Sequence, residues 1–230
     1  MHRAIEKARE EGRHLLEPEA LDLLKDYGIP VPDYRLAQTE REALEACESL
    51  KRPLVMKIVS PHILHKTESG GVVLRLKTKL QVSKAYAKLR TLETTGTKVH
   101  GMLMVPFQDH DVELFVGMLR DPQFGPVITF GLGGIWVEAL KDVSYGIAPL
   151  SPVEADEMIS SIRGHSVLEG MRGKKPADRQ ALCELLVRLS EMVMKEDAIQ
   201  AIDLNPVFPL GKGFFIADAR ILLEGCPGTP

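Results

Sequence analysis

Residues 53–77 read PLVMKIVSPHILHKTESGGVVLRLK. The first seven are apolar apart from Lys57 and predict a short buried strand. Residues 71–77, GVVLRLK, predict a second strand in which Val73, Arg75 and Lys77 alternate with Val72, Leu74 and Leu76. Between them lies a polar loop holding His62, His65, Lys66 and the pair Gly70-Gly71. A helix predicted over about 80–91 closes a strand–loop–strand–helix unit, which makes the chain an α+β protein.

On the N-terminal side, EPEALDLLKDY (17–27) predicts a helix with Pro18 in its first turn and Ala20, Leu21, Leu23 and Leu24 on one face. Gly28 ends it, and IPVP leads into an extended segment. A second helix starts at TERE, where Thr39 and Glu42 have capping-box spacing, and runs to about Leu50. On the C-terminal side, VHGMLMVPF (99–107), DVELFVGMLRD (111–121) and PVITFG (126–131) read as strands, with turn signals in RDPQFG and GLGG. Ser151, Pro152 and Glu154 mark a helix start, and the longest helix is expected over about 177–195 with Leu182, Leu185, Leu186, Leu189 and Met192 on one stripe. AIQAIDLNPVFPL (198–210), the turn GKG and FFIADARIL (214–222) predict an antiparallel hairpin. Two α+β lobes are expected, residues 1–100 and 101–230, with a ligand in the cleft between them.

Composition narrows the function. The 230 residues are 44% hydrophobic, 27% charged and 5% aromatic, which suits a globular fold, and the net charge of −3 supplies no basic field for nucleic acid or anionic lipid. Cys47, Cys183 and Cys226 form no CxxC and suit a reducing compartment. The charged N-terminal stretch lacks a signal-peptide core, and no apolar run reaches the roughly 18 residues of a membrane span. A cytoplasmic protein with no nucleic-acid and no membrane partner is expected.

Several residues carry possible chemistry. Asp203 and Asn205 lie two apart on one strand, and Asp218 sits on the returning strand, so the three offer two carboxylates and an amide oxygen. That set suits Mg²⁺ completed by phosphates; it also suits a hairpin whose acids face water. Lys57, inside an apolar strand, either contacts phosphate or reaches solvent at the strand end. Glu113 among apolar neighbours calls for ribose hydroxyls, a metal ion or an arginine. Gly131, Gly133 and Gly134 are not a dinucleotide fingerprint and predict a tight turn or bulge; Glu138 beyond them is either an orienter of a histidine or a surface acid. Lys66 and the main-chain donors of Gly70 and Gly71 can stabilise phosphate oxygens, and the imidazole of His65 can accept a phosphoryl group. An ordinary solvated loop histidine is the alternative.

The order of ALDLLKDYGIPVP, LVMKIVSPHILHKTESGGVVL, DVELFVGMLRDPQFGPVITFGLGGIWVEALKDVSYGIAPL and AIDLNPVFP resembles the ATP-grasp β subunit of ADP-forming acyl-CoA synthetases, the acetate–CoA ligases related to succinyl-CoA synthetase. The resemblance spans residues 16 to about 222. It implies an ATP-grasp fold and the interconversion of acyl-CoA, ADP and phosphate with free acid, CoA and ATP. It further implies Mg²⁺, a separate CoA-binding α subunit in an α2β2 heterotetramer, and phosphate relay through His65. By the same resemblance Lys57 contacts nucleotide phosphates, Glu113 lies at the nucleotide, and Asn205 and Asp218 hold Mg²⁺ with Asp203 beside them. MLMVPF becomes the adenine hinge, in which Val105 and Phe107 offer main-chain atoms only, where many ATP-grasp proteins place a glutamate or glutamine. A ligase subunit lacking the β-chain phosphohistidine and a nucleotide-sensing module are the competing readings.

Overall fold

The computed structural model describes residues 1–63, 66–93, 97–134, 142–170 and 175–227. The chain forms two compact units: Pro32–Asp109, and a discontinuous one of Met1–Val31 with His110–Pro230.

The smaller unit is a four-stranded antiparallel sheet in the order β1 (Arg35–Ala37), β4 (Gly101–Pro106), β2 (Leu54–Val59), β3 (Val72–Leu76). Helices α3 (Glu40–Ser49) and α4 (Lys79–Arg90) pack against it. The side chains of Leu54, Met56 and Ile58 from β2 and of Met102 and Met104 from β4 share a core with Ala43, Cys47, Val82 and Leu89 of the helices. Every residue of β2 is buried, as its apolar run requires of a central strand. Thr39 caps α3 by accepting from the Glu42 amide, while the Glu42 carboxylate reaches the Gln38 amide. Thr78 and Gln81 form a full capping box on α4.

Strand β3 departs from the expected alternation. Leu54 pairs with Leu76 but Met56 pairs with Val73, so one extra residue is accommodated between them, and Arg75 adopts φ 59°. The bulge reverses the pleat. Val73, expected on the polar face, packs on the core, and Leu74, expected inside, is 57% exposed.

The larger unit carries a sheet in the order β10 (Ala219–Leu223), β8 (Ile199–Pro209), β5 (Leu114–Asp121), β6 (Gly125–Leu132), β7 (Val143–Ile147), with β9 (Phe214–Ile216) also paired to β8. Antiparallel register aligns Val116, Phe130, Leu204 and Ala219, and in the next layer Met118, Ile128, Ile202 and Ile221. All are buried. Helices α5 (Pro152–Ser161) and α6 (Arg179–Lys195) pack on β7 and β6, and Ser151 with Glu154 forms the expected capping box. The predicted stripe of α6 is buried in full. Arg120 clamps the end of that helix by donating to the carbonyls of Val193, Glu196 and Ile199. The buried Asp142 carboxylate accepts from the amides of Arg163 (2.6 Å) and Gly164 (2.7 Å), holding the start of a 3₁₀ turn at Arg163–Glu169.

The division at residues 1–100 and 101–230 is thus replaced by another. Strand β4 belongs with the first sheet because both its edges pair there, with β1 and β2. Residues 1–31 join the C-terminal unit: α1 (Arg3–Glu10) and α2 (Glu17–Asp26) lie in it, and Leu15 donates to the Ile221 carbonyl at the free edge of β10. The charged helix α1, unforeseen in the sequence, buries only Ile5 and Ala8.

His14 completes this docking by accepting from the Leu223 amide (3.0 Å). Burial lowers its pKa, a hydrogen bond with the backbone of Pro227 raises it in part, and the Arg220 charge lowers it again. The folded state therefore takes up this proton less readily than the unfolded chain. Stability from this site is full above the ordinary histidine pKa of about 6.5 and is lost as pH falls through the depressed folded value. Urea unfolding of the wild type and His14→Gln between pH 7.5 and 5 is expected to show a steeper acid loss in the wild type.

Candidate functional site

Strand β8 organises the first cluster. Its Ile202 and Leu204 are buried, and Asp203 and Asn205 between and after them are exposed on the opposite face. The returning chain pairs first as β9 and then, after Ala217 and Asp218, as β10. At this break the Ala217 amide donates to the Pro206 carbonyl (2.9 Å) and the Asn205 amide to the Asp218 carbonyl (3.3 Å), so Asp218 lies alongside Asn205. Arg220 stands in register with Asp203. Asp203 is exposed at its own surface but closely surrounded by protein. That environment raises its pKa, the Asp218 charge raises it further, and Arg220 works the other way. The three residues expected to act together are therefore brought together. Two carboxylates in mutual repulsion with an amide oxygen fit a hard divalent cation. Among the described residues no group of three or more His, Cys, Asp or Glu assembles as a metal site. Asn205, water and phosphate are the ligands left to complete this one.

Lys57 lies in the middle of β2, between Val72 and Leu103, and is 5% exposed. It is not a strand-end lysine reaching solvent. With Leu54, Met56 and Ile58 turned to the helices, Lys57 faces the other side of the sheet. Strand β4 continues beyond β1, whose pairing ends at Met104, while Val105 pairs with Val55 and the Phe107 amide donates to the Pro53 carbonyl (2.7 Å). The guanidinium of Arg75 covers the Phe107 ring at 4.5 Å and donates to Asp109 at 3.1 Å. The β3 bulge at Arg75 gives it this position, which strand alternation alone does not imply.

The glycine pair of the loop behaves differently from expectation. Gly71 donates to the Lys66 carbonyl (2.6 Å) and Gly70 to that of Thr67 (3.2 Å), and a Cβ at Gly71 would lie 2.6 Å from Ile58. Gly70 has φ 71°. In this conformation the two amides serve the turn, not a phosphate; the glycines make the loop's tight return to β3 possible. His65 and Glu138 lie outside the described residues.

Glu113 precedes β5. Its Oε1 is 2.9 Å from Nε2 of His110, whose ring stacks on Phe208 with centroids 3.8 Å apart. The turn at Gly133-Gly134 folds onto it: the Gly133 amide donates to the Glu113 carbonyl at 2.6 Å. Gly131 lies in β6 itself, where a Cβ would meet the Phe115 ring at 2.5 Å. His110 was not foreseen; its i, i+3 spacing to Glu113 was the available signal.

This fold and these clusters can be set beside known proteins. Residues 7–223 match the ATP-grasp domain model. The chain belongs to the ATP-grasp family. It is 41% identical over 225 residues to the β subunit of acetate–CoA ligase (ADP-forming) I of Pyrococcus furiosus, covering 95% of this chain and 96% of that one. The single-chain acetate–CoA ligase (ADP-forming) I of Archaeoglobus fulgidus is also 41% identical, over 95% of this chain but 32% of its own length. A solved structure from Ca. Korarchaeum cryptofilum, a dinucleotide forming acetyl-coenzyme A synthetase 1 in complex with coenzyme A, Ca-AMPCP and HgCl+, superposes with a TM-score of 0.92. Its identity is 41%, with 96% of this chain and 98% of that chain covered. Within the family, then, this chain is by homology the β subunit of an ADP-forming acid–CoA ligase. Among the described residues no helix is long and apolar enough to cross a membrane.

Proposed function

We propose that the chain binds Mg-nucleotide and relays phosphate through His65 in the reaction acyl-CoA + ADP + phosphate ⇌ carboxylic acid + CoA + ATP. The observation that carries this reading is the convergence of Asp203, Asn205 and Asp218 at the break between β9 and β10, where burial and then the Asp218 charge raise the Asp203 pKa. Asp203, Asn205 and Asp218 hold the cation, which when bound offsets phosphate charge. Lys57, buried on its strand, supplies a fixed positive charge for phosphate oxygens, and Lys66 a second one on the loop. Main-chain atoms of Val105 and Phe107 meet the base, and Glu113 meets the sugar side of the nucleotide. Gly70 and Gly71 shape the loop that carries His65.

In the direction of ATP use, a ring nitrogen of His65 attacks the γ-phosphorus. An N–P bond forms as the bond to the bridging oxygen breaks, ADP leaves with that electron pair, and the ring proton passes to solvent. Glu138 orients the imidazole. The phosphoryl group then passes to a CoA-binding partner subunit, which holds the acid and CoA in an α2β2 assembly of the cytoplasm. Support for a partner comes from the relatives: one is a β subunit of this length, the other a chain three times as long.

The reaction tests the assignment. Chain co-purified with its CoA-binding partner is expected to form ATP from acetyl-CoA, ADP and phosphate, while the chain alone forms none. A complex that makes no ATP with acetyl-CoA or with a panel of other acyl-CoA thioesters overturns it.

A further inference from the structure

We propose that His110 is a positioning residue that fixes Glu113 to receive the ribose hydroxyls of the nucleotide, an inference that rests on the nucleotide-binding reading above. An ionised carboxylate only accepts hydrogen bonds, so the 2.9 Å contact is a donation from His110 Nε2 to Glu113 Oε1. The imidazole cannot easily swing away, because it lies flat on Phe208 with an interplanar angle of 3°, and Phe208 stacks in turn on Phe215.

The other side of Glu113 faces two glycines. A Cβ at Gly133 would stand 3.1 Å from the Glu113 Cβ, and a Cβ at Gly134, where φ is 63°, would stand 2.9 Å from Oε2. Glycine at these positions leaves room for the carboxylate without displacing it. One oxygen is committed to His110 and the other lies open beside Gly134. Among the described residues no lysine or arginine forms an ion pair with Glu113, and its side chain is 34% exposed. No lysine or arginine among the described residues takes up its charge, and it remains reachable.

A carboxylate oriented by one hydrogen bond, with no lysine or arginine paired to it among the described residues, is an acceptor prepared for O–H donors. A vicinal diol offers two donors from adjacent carbons, which a fixed carboxylate can engage without first losing rotamer freedom. Glu113 makes the contact; His110 acts through it.

The test is calorimetric titration of the full-length chain with MgADP and with Mg-2′,3′-dideoxy-ADP. In the wild type ADP is expected to bind more tightly than the dideoxy analogue. His110→Ala is expected to weaken ADP about tenfold, the scale of one hydrogen bond to a charged group, and to leave the analogue unchanged. His110→Gln, whose amide nitrogen reaches about as far as Nε2, is expected to restore most of the preference. Gly134→Ala, which displaces Oε2 while keeping His110, is expected to lose it. Equal losses for both nucleotides in His110→Ala, or none for either, overturn the proposal while the nucleotide reading stands. A wild-type chain that binds neither nucleotide overturns both.

Discussion

Exchange of His65 for alanine is expected to remove all acid-labile, base-stable phosphate from the chain after incubation with γ-labelled MgATP. Removing a covalent acceptor acts on the scale of 10³-fold or more, so labelling should fall to background and not by a modest fraction. The experiment is run with and without the CoA-binding partner, because that subunit receives the phosphoryl group under this reading and can itself carry label. Separating the two chains before counting keeps the signals apart. Label on the wild-type chain that vanishes in the variant supports the relay. Label that persists in His65→Ala places the acceptor elsewhere, and an unlabelled wild-type chain that still binds MgATP leaves a ligase subunit without a phosphohistidine of its own.

Asp218→Asn has the second-largest expected effect. Loss of one carboxylate from a site of two carboxylates and an amide should weaken Mn²⁺ and MgADP binding by more than the roughly 10–100-fold that losing a supporting neighbour costs a metal site. Metal-free stability should respond in the opposite sense. Asp218 now raises the Asp203 pKa, so removing its charge relieves a repulsion and the apo thermal midpoint should hold or rise. Paramagnetic Mn²⁺ titration and a melting curve without metal check the two halves together. A variant that binds Mn²⁺ as the wild type does would show that the pair simply faces water. A variant that loses binding and melts early would show a folding defect.

Much of the fold is legible in the linear pattern of residues. Helices 17–27, 39–50, 80–91 and 177–195 announce themselves by capping residues and a 3.6-residue apolar stripe, and each appears within a residue or two of its expected limits. The hairpin of 198–222 is legible from its alternation and its GKG turn, so the approach of Asp218 to Asn205 follows from pairing alone. These are local signals, and local signals survive in the sequence because nearby backbone and solvent decide them.

Other features depend on partners distant in the chain. Helix α1 has few apolar residues and is held by remote contacts, among them the His2 amide donating to Glu196. The β3 bulge sits in a run that alternates well on paper, yet the neighbouring strand β2 admits one residue fewer, and Val73 and Leu74 exchange the surroundings their positions imply. The glycine amides of the His65 loop read as phosphate donors until the turn is seen to use them.

The sequence by itself determined the class of fold and the family, and it supplied the candidates proposed for a phosphate, a cation and a phosphoryl acceptor. Spacing and order along one chain suffice for these. Tertiary structure alone decided that residues 1–31 complete the C-terminal unit, that β4 belongs to the first sheet, and that the ring of His110 stacks on Phe208 while it meets Glu113. Sheet edges and aromatic faces choose their neighbours by burial and hydrogen-bond satisfaction in three dimensions, and a linear pattern carries no record of that choice.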